Sequence, residues 1–118
     1  MEDTKVKLSE DFGVDMMFLS DYLEKKKVHH AVISQVLKSG TSIGANISES
    51  LYAESDTDFI HKLKISLKEA SETRFWLKIL YRSNIIEEIY FNDLYEKCNA
   101  LIKILSAIIK STQNRPQS

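Results

Sequence analysis

Reactive side chains are few in this sequence, and each has a quieter use. Asp58 and His61 form a D-x-x-H pair at what reads as a helix start. A di-iron bundle needs two Glu-x-x-His motifs and two further carboxylates. A single imperfect copy reads instead as a helix cap followed by an exposed histidine. His29-His30 falls between two helical patterns, where a solvated turn is expected. Glu69 and Glu72, three apart, have Lys62, Lys68 and Arg74 as sequence neighbours and read as a solvated ion-pair face. Cys98 lies on an apolar helical stripe and reads as core, not nucleophile. No glycine-rich phosphate loop follows a strand. The expectation is no catalytic residue, no metal and no cofactor.

The most unusual stretch is Gly40–Ser50, GTSIGANISES, which sits inside a helical pattern although it is built of poor helix formers. At 100° per residue Gln35, Ser39, Ser42, Asn46 and Glu49 form one polar stripe bordering the apolar face. Gly40 and Gly44 fall on the apolar side, one turn apart. Small residues at that spacing let a neighbouring helix approach closely. The favoured reading is a tight helix crossing flanked by register-setting hydrogen bonds; a ligand or metal site on Ser42, Asn46 and Glu49, or a subunit contact, are the alternatives. Arg74 falls within the apolar face of a later helix, where an unpaired guanidinium would be costly. Glu49 is its expected partner.

Elements of the right kind surround this stretch. A chain of 118 residues fits one domain, 1–118, large enough for a core without staples. Three glycines and one proline are too few for a β-sandwich or barrel, so an all-α fold is expected. Apolar periodicity places four helices at about 8–27, 30–51, 56–82 and 87–110, with a frayed tail over 112–118. Short loops between helices of that length make an antiparallel up-and-down four-helix bundle the default.

The third helix carries two apolar facets. The main one runs through Leu63, Ala70 and Leu77; Ile65, Trp76, Ile79 and Leu80 form a second. A helix in a lone bundle needs one stripe, so the second set is the expected subunit interface. Lys64, Lys68, Lys78 and Arg82 share another side of the same helix with Phe75, and are the candidate nucleic-acid contacts. Charge is uneven along the chain: −5 over residues 1–60 and +4 over 61–118, for a net −1. A nearly neutral whole disfavours strong non-specific nucleic-acid binding, while a basic half can still present a local patch. A single cysteine allows no internal disulfide, the opening MEDTKVKLSEDFG has no apolar leader core, and no apolar run approaches a membrane span. A cytoplasmic protein that does not enter membranes is expected.

The two segments SGTSIGANISES and DFIHKLKISLKEASETRFWLKIL together resemble a family of four-helix-bundle proteins that includes those encoded in intervening sequences of bacterial 23S rRNA genes. Thr41–Glu49 matches its (S/T)SIxANIxE segment, and Phe59–Leu80 its F(I/L)xxLxIAxxSxxExxxxL segment. A weaker FxVDxxxLxxxL correspondence covers Phe12–Leu23, so the likeness spans nearly the whole chain. It implies a homo-oligomeric ring, a pentamer. Accessory proteins of diversity-generating retroelements, which are similar, bind a reverse transcriptase and nucleic acid through strongly basic surfaces; this chain departs from that pattern in its net charge. The expectation is a non-enzymatic interaction or scaffold protein in RNA- or DNA-associated processes, whose partners, bound through the assembled ring, are itself and RNA or DNA. The alternatives are an adaptor for a protein partner and, more remotely, a metal-dependent bundle enzyme.

Overall fold

A computed structural model describes residues 3–116. They form four helices, α1 (Thr4–Lys25), α2 (His30–Ser50), α3 (Asp56–Arg82) and α4 (Glu88–Gln113), and no strand.

The ends of these helices follow from local chemistry. α1 begins at Thr4, not near Leu8, because the Asp3 carboxylate accepts from the backbone N–H groups of Lys5 and Val6. This capping satisfies donors that the first turn otherwise leaves open. Lys27 takes a left-handed conformation with φ of 58° and turns the chain into α2. Ser55 caps α3 by accepting from Asp58 N–H at 3.0 Å, and Asp58 in turn accepts from Glu54 N–H at 3.3 Å. Asp56 and Asp58 also place negative charge at the positive end of the helix dipole. Asn84, again at φ 58°, ends the turn after α3.

α4 runs to Gln113, beyond the expected limit near 110. The Thr112 hydroxyl donates to the Ile108 carbonyl, and Arg115 pairs with Asp56, tying this end to the start of α3. The last two residues of the expected frayed tail lie outside the described residues.

Each helix packs on two others: α2 on α1 and α3, α4 on α3 and α1, with the α1–α4 seam the thinnest. The molecule measures 53 × 26 × 21 Å. Its shorter dimensions are about two helix diameters of ~10–12 Å, as four rods side by side require. Every helix contributes a stripe at three- and four-residue spacing to one core, for example Phe12, Met16, Leu19 and Leu23 from α1, and Leu94, Cys98, Leu101 and Leu105 from α4. Among the described residues no helix is long and apolar enough to cross a membrane.

Candidate functional site

The small residues of α2 act against α1. A Cβ added at Gly40 would lie 2.4 Å from Met16 Cγ and 2.5 Å from its sulfur, and Met16 is itself fully buried. At Gly44 the added carbon would meet the Ser9 carbonyl oxygen at 3.2 Å. Gly40 therefore leaves room for the Met16 side chain, and Gly44 lets the α1 backbone come close. These packings offset the ~1 kcal/mol of helix propensity that each glycine gives up.

The other edge of the same stretch bonds to α3. Ser66 donates its hydroxyl to the Ile43 carbonyl at 2.7 Å, and Thr73 Oγ1 lies 3.0 Å from Ser39 Oγ. The Thr73 hydroxyl also lies 2.8 Å from the Glu69 carbonyl, so its one proton is directed to one of these acceptors at a time. All three hydroxyl residues are buried. Such bonds are worth little net but are expensive to leave unmade, which fixes the register of α2 on α3. Ser42 and Asn46 turn inward on their own helix instead, donating to the carbonyls of Lys38 (2.6 Å) and Ser42 (2.8 Å).

The expected Glu49–Arg74 pair does not form. Arg74 donates to Asn99 Oδ1 across the α3–α4 seam at 3.0 Å, and Glu49 accepts from Lys62 at 3.4 Å. The reason is axial: Lys62 and Arg74 are separated by about 18 Å along α3 at 1.5 Å per residue. Glu49 near the end of α2 faces only the start of α3.

The second facet of α3 is narrower than expected. Leu80 is 0% exposed and belongs to the core, because the buried arc of a packed helix is wide enough to include a residue 60° from Leu77. Leu80 is therefore no subunit contact. Ile65 and Trp76 are half-buried against the core; Trp76 Nε1 is buried and has no hydrogen-bond partner among the described residues. Ile79 is 37% exposed. Beside it stand exposed Phe75, Lys64, Lys68, Lys78 and Arg82, with Glu72 as the acid among them. Lys78 Nζ also lies 5.7 Å from the centre of the Tyr95 ring, a cation–π contact.

An apolar patch on α1 escapes sequence reading. Val14, Met17 and Phe18 are exposed on the side away from the core, with Phe18 at 66%. The signal was present as a second 3–4 spacing, hidden because Phe12, Met16, Leu19 and Leu23 already supplied a complete stripe. Nearby, Lys97 bridges Asp15 on α1 and Asp93 on α4, each at 3.1 Å. Its hydrogen bond to Asp15 raises the Lys97 pKa most, against a lowering by burial and with help from Asp93.

Of the remaining candidates for chemistry, Asp58 and Cys98 are engaged in the fold and the histidines are exposed. Asp58 is the capping partner of Ser55, and His61 is exposed. His29 and His30 are exposed at the start of α2. Cys98 is buried with its sulfur 3.3 Å from the Ala70 carbonyl, and burial pushes its thiol up to about 12. Among the described residues no cluster of three or more histidine, cysteine, aspartate or glutamate side chains is placed to hold a metal.

Comparison with known proteins agrees with this architecture. The model of the 23S rRNA-intervening sequence protein family matches residues 3–107. A solved structure, that of a protein with unknown function from the S23 ribosomal protein family of Bacteroides thetaiotaomicron VPI-5482, is 39% identical. The alignment covers 90% of this chain and 98% of that one, with a TM-score of 0.88. No curated protein matches the chain.

Proposed function

From the premise that this chain belongs to the 23S rRNA-intervening sequence protein family, we propose that it is a non-enzymatic interaction or scaffold protein, working as a homo-oligomeric ring of antiparallel up-and-down bundles in the cytoplasm. The observation that carries this reading is the exposed apolar surface on two helices whose inner faces are already complete: Val14, Met17 and Phe18 on α1, and Phe75 and Ile79 on α3. Contiguous apolar patches of that kind mark association surfaces. The antiparallel course is supported by pairs that run in opposite senses, Met16 with Gly40 and Ser9 with Gly44, then Ser39 with Thr73 and Ile43 with Ser66. The resemblance supplies five as the ring number.

RNA or DNA is the partner beyond the ring in this reading. Four exposed cations on one side of α3 favour it, and repetition around a ring turns weak contacts into useful avidity. The net charge of −1 keeps each single contact weak.

The test is the mass in solution by size-exclusion chromatography with light scattering, at low and high salt. A mass of about 68 kDa, five chains of 13.6 kDa, is expected in both. A mass of one chain overturns the ring and turns the same apolar faces into docking surfaces for a different protein.

A further inference from the structure

We propose that copies of this chain join head to tail, the outward face of α1 in one packing against the outward face of α3 in the next. Phe18 and Phe75 meet at the centre of the contact, and Asp11–Lys68 and Asp21–Lys78 pairs flank them. This rests on the oligomer proposed above and says which surfaces build it.

The two faces carry the same pattern with opposite charge. On α1, Asp11, Phe18 and Asp21 are spaced by seven and then three residues; on α3, Lys68, Phe75 and Lys78 repeat those spacings. Steps of seven and three keep all three residues of each set on one side of a helix. All six are exposed, Phe18 at 66% and Phe75 at 54%. Val14 and Met17 widen the apolar centre on α1, and Ile79 widens it on α3. Exposed Glu10 adds to the acidic side; exposed Lys64 and Arg82 add to the basic side, which also holds exposed Glu72 between Lys68 and Phe75. Lys7, which bridges Asp11, and Lys25 lie beyond the ends of the acidic set.

The heights of the two faces also agree. Met16 abuts Gly40 and Thr73 abuts the neighbouring Ser39, so residues 16 and 73 stand at one level along the bundle. With α1 and α3 running in the same sense, Phe18 and Phe75, each two residues further on, share a level too. α1 and α3 stand across a diagonal of the bundle with no close backbone approach between them, so each has an outward face of its own.

Symmetry then selects the arrangement. A two-fold contact of α1 on α1 sets acid against acid, and α3 on α3 sets base against base. Only the heterologous contact opposes unlike charges, and complementary charge fixes both partner and register. A heterologous contact between patches at equal height adds no rise along the bundle, and copies close into a ring when each is rotated from the last by a whole fraction of a turn. Lys68 and Lys78 are then covered, while Lys64 and Arg82 remain at the margins of the contact, free for RNA.

Charge reversal tests this. Asp11→Lys with Asp21→Lys makes both faces basic; Lys68→Asp with Lys78→Asp makes both acidic. Each double variant should run as a single 13.6 kDa chain at concentrations where the parent protein assembles, with an unchanged far-UV circular dichroism spectrum. The quadruple variant, with both faces reversed, should recover the parent mass. Phe18→Ser should weaken assembly while leaving the folded chain as stable. Double variants that keep the mass of an oligomeric parent overturn the face assignment alone, as does a quadruple variant that fails to reassemble. A parent protein of one-chain mass overturns the ring reading and this assignment with it.

Discussion

At the scale of single residues, capping engages Asp58 and packing engages Cys98. Cys98 is the sharpest case. Its ordinary thiol pKa of 9.0 is pushed up to about 12 by burial. Above pH 9 the unfolded chain releases this proton while the folded chain keeps it. The thiol's contribution to stability is therefore fully present below pH 9 and is lost as pH rises towards 12. Cys98→Ala should flatten the alkaline limb of a stability–pH curve followed by urea unfolding. A thiol reagent at pH 8 should label the native protein only as fast as it opens; labelling at the rate of a free thiol contradicts the buried position. Gly44 is the second case. Leucine there must displace the Ser9 backbone from 3.2 Å, and overpacking of this kind costs about 1–3 kcal/mol. A thermal melt unchanged by Gly44→Leu would mean that α1 has room to withdraw. That glycine marked a close approach was readable in the sequence, but which helix approached was not: periodicity orders residues around one helix and says nothing about its neighbour.

At the scale of elements, the four helices were readable because apolar residues recur at three and four over long stretches. The weak formers of α2 hid less than expected, since Ile43 and Ile47 continue the stripe begun by Ile33 and Val36. Boundaries shifted where a single side chain decides them, as Asp3 does for α1. The Glu49–Arg74 pairing failed for a different reason. Charge and burial suggested a need for a partner, whereas axial level, set by how the helices meet, chose Asn99. The α2–α3 seam offers the clearest energetic test at this scale. Ser66→Ala removes the bond to the Ile43 carbonyl but leaves no buried donor stranded, so a loss of about 1 kcal/mol is expected. Thr73→Val leaves Ser39 with its bond to the Val36 carbonyl and should cost no more. The two hydroxyls sit on the same seam, two turns apart, and the double variant should show nearly additive losses in urea denaturation with an unchanged m value. A loss several times larger would mean that the pair holds the helix register as a unit.

At the scale of the whole molecule, what was hidden was the outer surface. The second facet of α3 seen in the sequence dissolves into core at Leu80, while the apolar face of α1 went unread behind a complete inner stripe. Surface complementarity depends on the heights of elements in the fold, which one sequence does not state. That geometry bears directly on nucleic acid. In the head-to-tail ring Lys68 and Lys78 face acidic side chains, so RNA is left with Lys64 and Arg82 at the margin of each contact. Binding then depends on assembly, because two cations on a chain of net charge −1 hold a phosphate backbone weakly until they are repeated around the ring. A gel shift with structured RNA should appear for the assembled protein and be lost in the charge-reversed monomers. Replacing Lys64 and Arg82 by alanine should leave the mass unchanged and weaken the shift. The plot of log affinity against log salt should flatten by roughly one unit for each phosphate contact removed. An unchanged slope would place the RNA on another surface, and no shift at all from an intact ring would leave a scaffold whose exposed cations serve only protein contacts.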